Sequence, residues 1–308
     1  MARSPRPNSR SDASAPADAL TVTLSSGASA SMEHEGASWN LVVDGTPQSN
    51  VVPDDPRDLR FAYIRHMGRV IEHAWPGSEP LTALHLGAGA MSIPRFVEEL
   101  HPGSRQQVIE LEPELVELVR RVAPLPRHAS IRVRYGDARE QLSRLPKGLL
   151  GAADLLVVDI FAGAQTPAHV TSVEFFEDLV PFLAPDGLVL VNIADGHELR
   201  FARGELATLM DVFTEVSVIT DPAVAKGRRF GNLMAIARPR NEASTPLRER
   251  LDGIHRTLAS EFPPASLIDH RGVEQLTAGR APVHDAEAKP SPKPGRGIFT
   301  ARRSGGWN

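Results

Sequence analysis

The chain contains no cysteine, which excludes disulfides and thiolate metal sites and fits a reducing, cytoplasmic setting. It lacks a long apolar run: no stretch approaches the roughly 18 residues that a membrane-spanning helix requires. It lacks a strong charge bias, with a formal net charge of -4, so no global basic field points to nucleic acid or to an anionic membrane. The opening "MARSPRPNSRSDASAPADAL" has no apolar core of the secretory kind. No internal repeat is visible, and no metal site is expected. With 308 residues, 41% of them hydrophobic and 23% charged, the chain has ample material for a real core.

The pattern changes along the chain. Residues 1–18, rich in Ser, Ala, Pro and Arg, read as a disordered tail. Residues 19–58 hold short strand candidates broken by Gly, Ser and Asp-Gly, a small β-rich N-terminal region. "DDPRDLRFAYIRHMGRVIEHAW" then sets Leu59, Tyr63, Met67, Val70 and Ile71 on one helical face. Strands and helices alternate over 59–239: "LTALHLG", "RQQVIELE", "IRVRYGD", "ADLLVVDIF", "GLVLVNIAD", "EVSVIT" and "NLMAIARP" read as strands, with helices at 92–100, 113–122, 138–145, 171–183 and 197–212. Continuous apolar strands at this spacing predict an α/β fold, a doubly wound and mostly parallel Rossmann-like sheet. The loop before the last strand is too short for a crossover helix, so that strand is expected to run antiparallel. Residues 240–285 read as a helical extension, with one amphipathic helix carrying Leu247, Leu251, Ile254 and Leu258. Residues 286–308 read as a flexible basic tail.

The strand ends carry the chemistry. In a parallel sheet, ligands bind beyond the carboxyl ends of the strands. Gly87 and Gly89 follow the first strand of the sheet and permit a tight turn with close backbone approach to a ligand, although glycines at such turns are often purely structural. Glu110 ends the second strand, 21 residues after Gly89, where a carboxylate can accept both hydroxyls of a ribose. Asp137 ends the third, placed to accept from an adenine amino group while Ala138 packs on the ring. Asp159 ends the fourth. Together they describe a nucleoside pocket. A nicotinamide-dinucleotide domain is the obvious rival, but Ser92 stands at its third glycine position. The closing antiparallel strand also suits the adenosylmethionine-dependent methyltransferase architecture better.

Residues 39–238 resemble the spermidine synthase (polyamine aminopropyltransferase) family. "LVVDGTPQS" is similar to its first hairpin, "RFAYIRHM" to the helix that follows, "LHLGAGAMS" to its glycine-rich segment and "YGDAREQL" to its adenine segment; "ADLLVVDIFAGAQTPAHV" looks like its catalytic strand and loop. The resemblance implies decarboxylated S-adenosylmethionine as co-substrate, no tightly bound cofactor, and a small-molecule amine as acceptor. It implies Asp159 as catalytic carboxylate, Gln48, Gly87, Gly89, Glu110, Asp137 and Ala138 as nucleoside contacts, and an aromatic substrate contact at Tyr63. His66, Asn192 and Asp195 are further candidates for the acceptor pocket; for His66 a surface position, and for Asp195 a helix cap, is the competing reading. A homodimer or homotetramer would match the family. Two family aspartates are replaced, by Ala90 in the glycine segment and by Ala162 in the catalytic loop. Each would have met a cationic amine, and an ammonium desolvated without a partner costs several kcal/mol, which weighs against ordinary diamine binding. The alternatives are a methyltransferase using intact S-adenosylmethionine and a non-catalytic nucleoside-binding relative.

Overall fold

The computed structural model describes residues 20–294, apart from Ala243 and the side chain of His197. The expected tail at 1–18, and residues 295–308 of the expected basic tail, lie outside the described residues.

Two sheets form the framework. Strands β1 (Thr21–Thr23), β2 (Ser29–Glu35), β3 (Ser38–Val43) and β4 (Thr46–Val51) make an antiparallel meander. Asp44 and Gly45, both at positive φ, turn β3 into β4, the hairpin geometry that an Asp-Gly pair favours. Helix α1 (Ala62–Ala74) then leads into the alternating region: β5 (Thr82–Leu86), α2 (Ser92–Leu100), β6 (Arg105–Glu110), α3 (Pro113–Val122), β7 (Ser130–Tyr135), α4 (Ala138–Leu142), β8 (Ala153–Val158), α5 (Val173–Leu179), β9 (Leu183–Asp195), α6 (Arg200–Val212), β10 (Glu215–Thr220), α7 (Pro222–Ala225) and β11 (Gly231–Arg238). After these come α8 (Leu247–Arg250), α9 (Ile254–Ala259), β12 (Ser266–Ile268) and α10 (His270–Thr277). The large sheet has the order β12-β10-β11-β9-β8-β5-β6-β7. Strands β5 to β9 run parallel, and β11 lies antiparallel to both β9 and β10. This is the mixed α/β architecture the alternation predicted.

Both faces of the sheet are covered, which explains the unbroken apolar strands. Leu84, Leu86, Leu156 and Val158 pack on the α5 and α6 side, while Ala83, Leu155 and Val157 pack on the α1 and α2 side. A third cluster joins the small sheet to the large one: Met32, Leu41 and Val43 meet Ala90, Met91, Val108 and the α3 residues Val116 and Val119. Glu112, at the start of α3, reinforces the joint by accepting from Ser25 N (2.7 Å) and Ser26 N (3.2 Å).

The C-terminal region differs from expectation in three ways. The single amphipathic helix is two short ones, because Gly253 adopts a left-handed φ of 75° and breaks the register between α8 and α9. Leu247, Leu251, Ile254 and Leu258 are all buried nonetheless. Strand β12 adds an edge by pairing antiparallel with β10. Within residues 286–294 one side chain is anchored: Ser291 is fully buried, with its N–H donating to Thr166 O and its hydroxyl accepting from Thr166 N at 2.8 Å, while most of its neighbours are exposed.

Candidate functional site

The glycine turn after β5 is sterically compelled. Gly87 has φ +96°, and a Cβ there would sit 2.1 Å from the carbonyl oxygen of Asp159. No other residue fits without moving the neighbouring strand. Gly89, at φ +48°, backs onto Ser49 of the small sheet. Beside this turn, the Glu110 carboxylate accepts from Ala88 N through Oε2 (2.9 Å) and from Glu112 N through Oε1 (3.0 Å). Burial raises its pKa, and the backbone donors of Ala88, Glu112 and Leu111 work against that shift. Three backbone donors leave about one of the carboxylate's four lone-pair sites for a further donor.

Asp159 lies on the adjacent strand end. Its Oδ1 accepts from Asn192 Nδ2 at 2.8 Å, and Asn192 Oδ1 in turn accepts from Asn232 Nδ2 at 2.8 Å. Its Oδ2 stands 3.3 Å from the Tyr63 hydroxyl, which also lies 3.4 Å from the Gln48 carbonyl. Burial pushes the Asp159 carboxyl up to about 6, against the pull of the Asn192 and Tyr63 hydrogen bonds. Tyr63, buried and beside that charge, is raised well above its ordinary value and stays a neutral donor. Gln48 is fixed by Nε2 donating to Gly163 O at 2.7 Å, which ties the first hairpin to the loop after β8.

A cavity of about 400 Å³ lies beside this chain of hydrogen bonds. Gln48, Tyr63, His66 and Asn192 all line it. His66 is buried, with neither ring nitrogen partnered, and burial pushes its pKa down to about 4. The surface position weighed for it is therefore incorrect.

Two acids are used differently from the nucleoside and acceptor readings. Asp137 caps α4, accepting from Arg139 N (3.0 Å) and Glu140 N (3.1 Å), and its other oxygen lies 2.7 Å from His169 Nε2. Ala138 is buried as the first residue of that helix. Asp195 does not line the cavity: it accepts from Gly196 N (2.6 Å) and Ala202 N (2.8 Å) and holds the start of α6. The capping alternative is the correct one there. His85, inside β5, is packed away with Nε2 2.9 Å from Gln106 Oε1. Among the described residues no cluster of three or more His, Asp or Glu is arranged to hold a metal ion, and no helix is long and apolar enough to cross a membrane.

No protein-family model matches the chain. A probable spermidine synthase of Corynebacterium glutamicum superposes with a TM-score of 0.76 at 32% identity, covering 86% of this chain and 95% of that one. The chain belongs to the spermidine synthase family. Polyamine aminopropyltransferases of Chromobacterium violaceum and Vibrio vulnificus agree, at 28% identity over 221 residues and 26% over 214. Those matches cover 70% and 69% of this chain, and 79% and 67% of the relatives.

Against the family pattern, the two alanines have different surroundings. Ala90 is fully buried among Leu41, Met91 and Val108, where an unpaired carboxylate would be costly. Ala162 is exposed and paired through its backbone with Gln165. Sequence reasoning missed Asn232, whose role depends on β11 pairing beside β9, and Pro263 and Pro264, which reach the cavity because Arg65 and Arg69 clasp Glu261 at 3.1 and 2.8 Å. No local signal in "FGNLMAI" or "SEFPPAS" announces either contact.

Proposed function

We propose that the protein transfers an aminopropyl group from decarboxylated S-adenosylmethionine to an amine acceptor, a step of polyamine biosynthesis. The acceptor's neutral nitrogen attacks the carbon next to the sulfonium. The new N–C bond forms as the C–S bond breaks, and the electron pair neutralises sulfur, releasing methylthioadenosine. The attacking amine arrives as an ammonium or becomes one on bonding, so one proton must leave. Asp159 takes it: a buried carboxylate with a pKa of about 6 is ionised at neutral pH yet basic enough to accept. Asn192 and Tyr63 hold its two oxygens in fixed positions, and neither competes as a base. Glu110, beside the glycine turn, is assigned to the ribose hydroxyls, and Gly87 and Gly89 to close backbone contact with the nucleoside. Asp137 is left a smaller part, since its carboxylate already serves α4 and His169.

One observation carries this reading: the hydrogen-bonded chain Tyr63–Asp159–Asn192–Asn232 borders the cavity through Tyr63, Asn192 and Asn232, while Asp159 meets the glycine turn through its backbone, so one carboxylate joins the two places a donor and an acceptor need. The test is product analysis. Incubated with decarboxylated S-adenosylmethionine and amines, the protein is expected to release methylthioadenosine; adenosylhomocysteine from intact S-adenosylmethionine instead would establish methyl transfer and refute the proposal.

A further inference from the structure

Among the described residues lining the acceptor cavity, the charged side chains are Asp221 and Arg229, and they neutralise each other. Arg229 Nη2 donates to Asp221 Oδ2 at 2.7 Å, while Asp221 Oδ1 accepts from Ala223 N at 2.6 Å and so caps α7. His66, only 4% exposed with both nitrogens unpartnered, adds a neutral imidazole to the same wall. Asn192 and Asn232 donate through Nδ2 along the chain to Asp159, and Gln48 donates through Nε2 to Gly163. Besides Thr46 and Tyr63, the rest of the wall is largely apolar, with Phe61, Phe161, Phe230, Val224, Pro263 and Pro264. Pro294 closes the same wall from the C-terminal segment.

A linear diamine needs an anion at each end of its site. Here the reacting nitrogen is assigned to Asp159, whose two oxygens are held by the cavity residues Tyr63 and Asn192. The far end has a compensated ion pair, a neutral histidine and rings. A second ammonium pressed there would lose its water and gain no counter-charge. A methyl or ring carbon would lose nothing and bury apolar surface.

We infer that the preferred acceptor is a primary monoamine with an apolar body, uncharged at its far end, rather than a diamine. The inference rests on the aminopropyl-transfer reading, and it makes the Asp221–Arg229 pair the specificity determinant. The pair withdraws from the acceptor the one carboxylate that could hold a second ammonium.

Three amines of equal length isolate the far end: 1-aminobutane, 1,4-diaminobutane and 4-aminobutyrate. Each is titrated by calorimetry into protein saturated with methylthioadenosine, and each is then offered with decarboxylated S-adenosylmethionine. 1-Aminobutane is expected to bind at least tenfold more tightly than either of the others and to lead in kcat/KM. Equal or tighter binding of the diamine overturns the inference, as does equal or tighter binding of the aminobutyrate, which would mean that Arg229 recruits a carboxylate. Failure of all three to bind overturns it too. Methylthioadenosine release from none of them refutes aminopropyl transfer itself, and the binding order still decides the acceptor class. In the variant Arg229→Gln, which frees Asp221, the ratio of diamine to monoamine affinity is expected to rise at least tenfold. An unchanged ratio would remove the pair from any part in specificity.

Discussion

At Asp159 the protein keeps a carboxylate where burial opposes its charge. In the unfolded chain this group titrates near its ordinary value of 3.8; in the folded protein it titrates near 6. Between those values the folded state holds a proton that the unfolded state has released, so this group's contribution to stability falls as pH rises from about 4 to about 6 and stays low above that. The difference corresponds to on the order of 3 kcal/mol. Asp159→Asn keeps the shape and removes the charge; its oxygen can still accept from Asn192, while its Nδ2 can only donate, so the Tyr63 hydroxyl must turn to accept. Urea denaturation should therefore find the variant more stable than the parent by roughly that amount at pH 8, and by almost nothing at pH 4. Its kcat/KM should fall by about 10²–10⁴, the usual worth of a positioned base. In the parent, kcat/KM should rise with pH through about 6 as Asp159 ionises, and that limb should vanish in the variant. At this scale the placement of Glu110 and Asp159 at strand ends beside the glycine turn was legible, because acids at the ends of apolar strands stand out. Asp137 and Asp195 look the same in sequence, yet short carboxylates serve equally well as helix caps, and only backbone geometry separates the two uses.

Elements reached across the chain in ways that local pattern does not encode. The segment after α10 crosses the α5 side and the loop after β8. Asp285 takes Arg139 in a two-pronged grip at 2.7 and 2.9 Å and accepts from Ser172, His284 Nδ1 lies 2.9 Å from Glu174, and Ser291 pairs with Thr166. These contacts pin the loop between Phe161 and Thr171, which carries Gly163, the anchor of Gln48. Deleting residues 280–308 should lower stability by about 3 kcal/mol, at about 1 kcal/mol for each of several lost hydrogen bonds. It should also open that loop to limited proteolysis and depress kcat/KM. A truncated protein whose loop resists protease as well as the parent would show that the strap is ornamental. The proline and lysine content of 286–294 gives no sign of the Ser291 anchor, because composition reports the lack of an apolar stripe and not a single buried serine.

The alternating part of the large sheet was legible, since its central strands β5, β8 and β9 are apolar on both faces and punctuated at helical distances; the β12 edge was not. The covering of the small sheet was not: its strands alternate, but nothing in them names Met91 or α3 as the surface they pack against. Because that shared cluster has no internal boundary, the two sheets should melt together. Far-UV circular dichroism and intrinsic fluorescence are expected to trace one transition, and two separated midpoints would contradict a continuous core.

The contact between Gly87 and the backbone of Asp159 has a consequence for descent with modification. Turn and base are neighbours on paired strands, so a register slip in that ladder would destroy both at once, and natural selection must keep them as a unit. The far wall is assembled from distant stretches of chain, α7, the 262–264 bend and the C-terminal strap, none of which belongs to that ladder. A lineage can therefore exchange one amine for another by redrafting its periphery while the reacting centre is inherited intact.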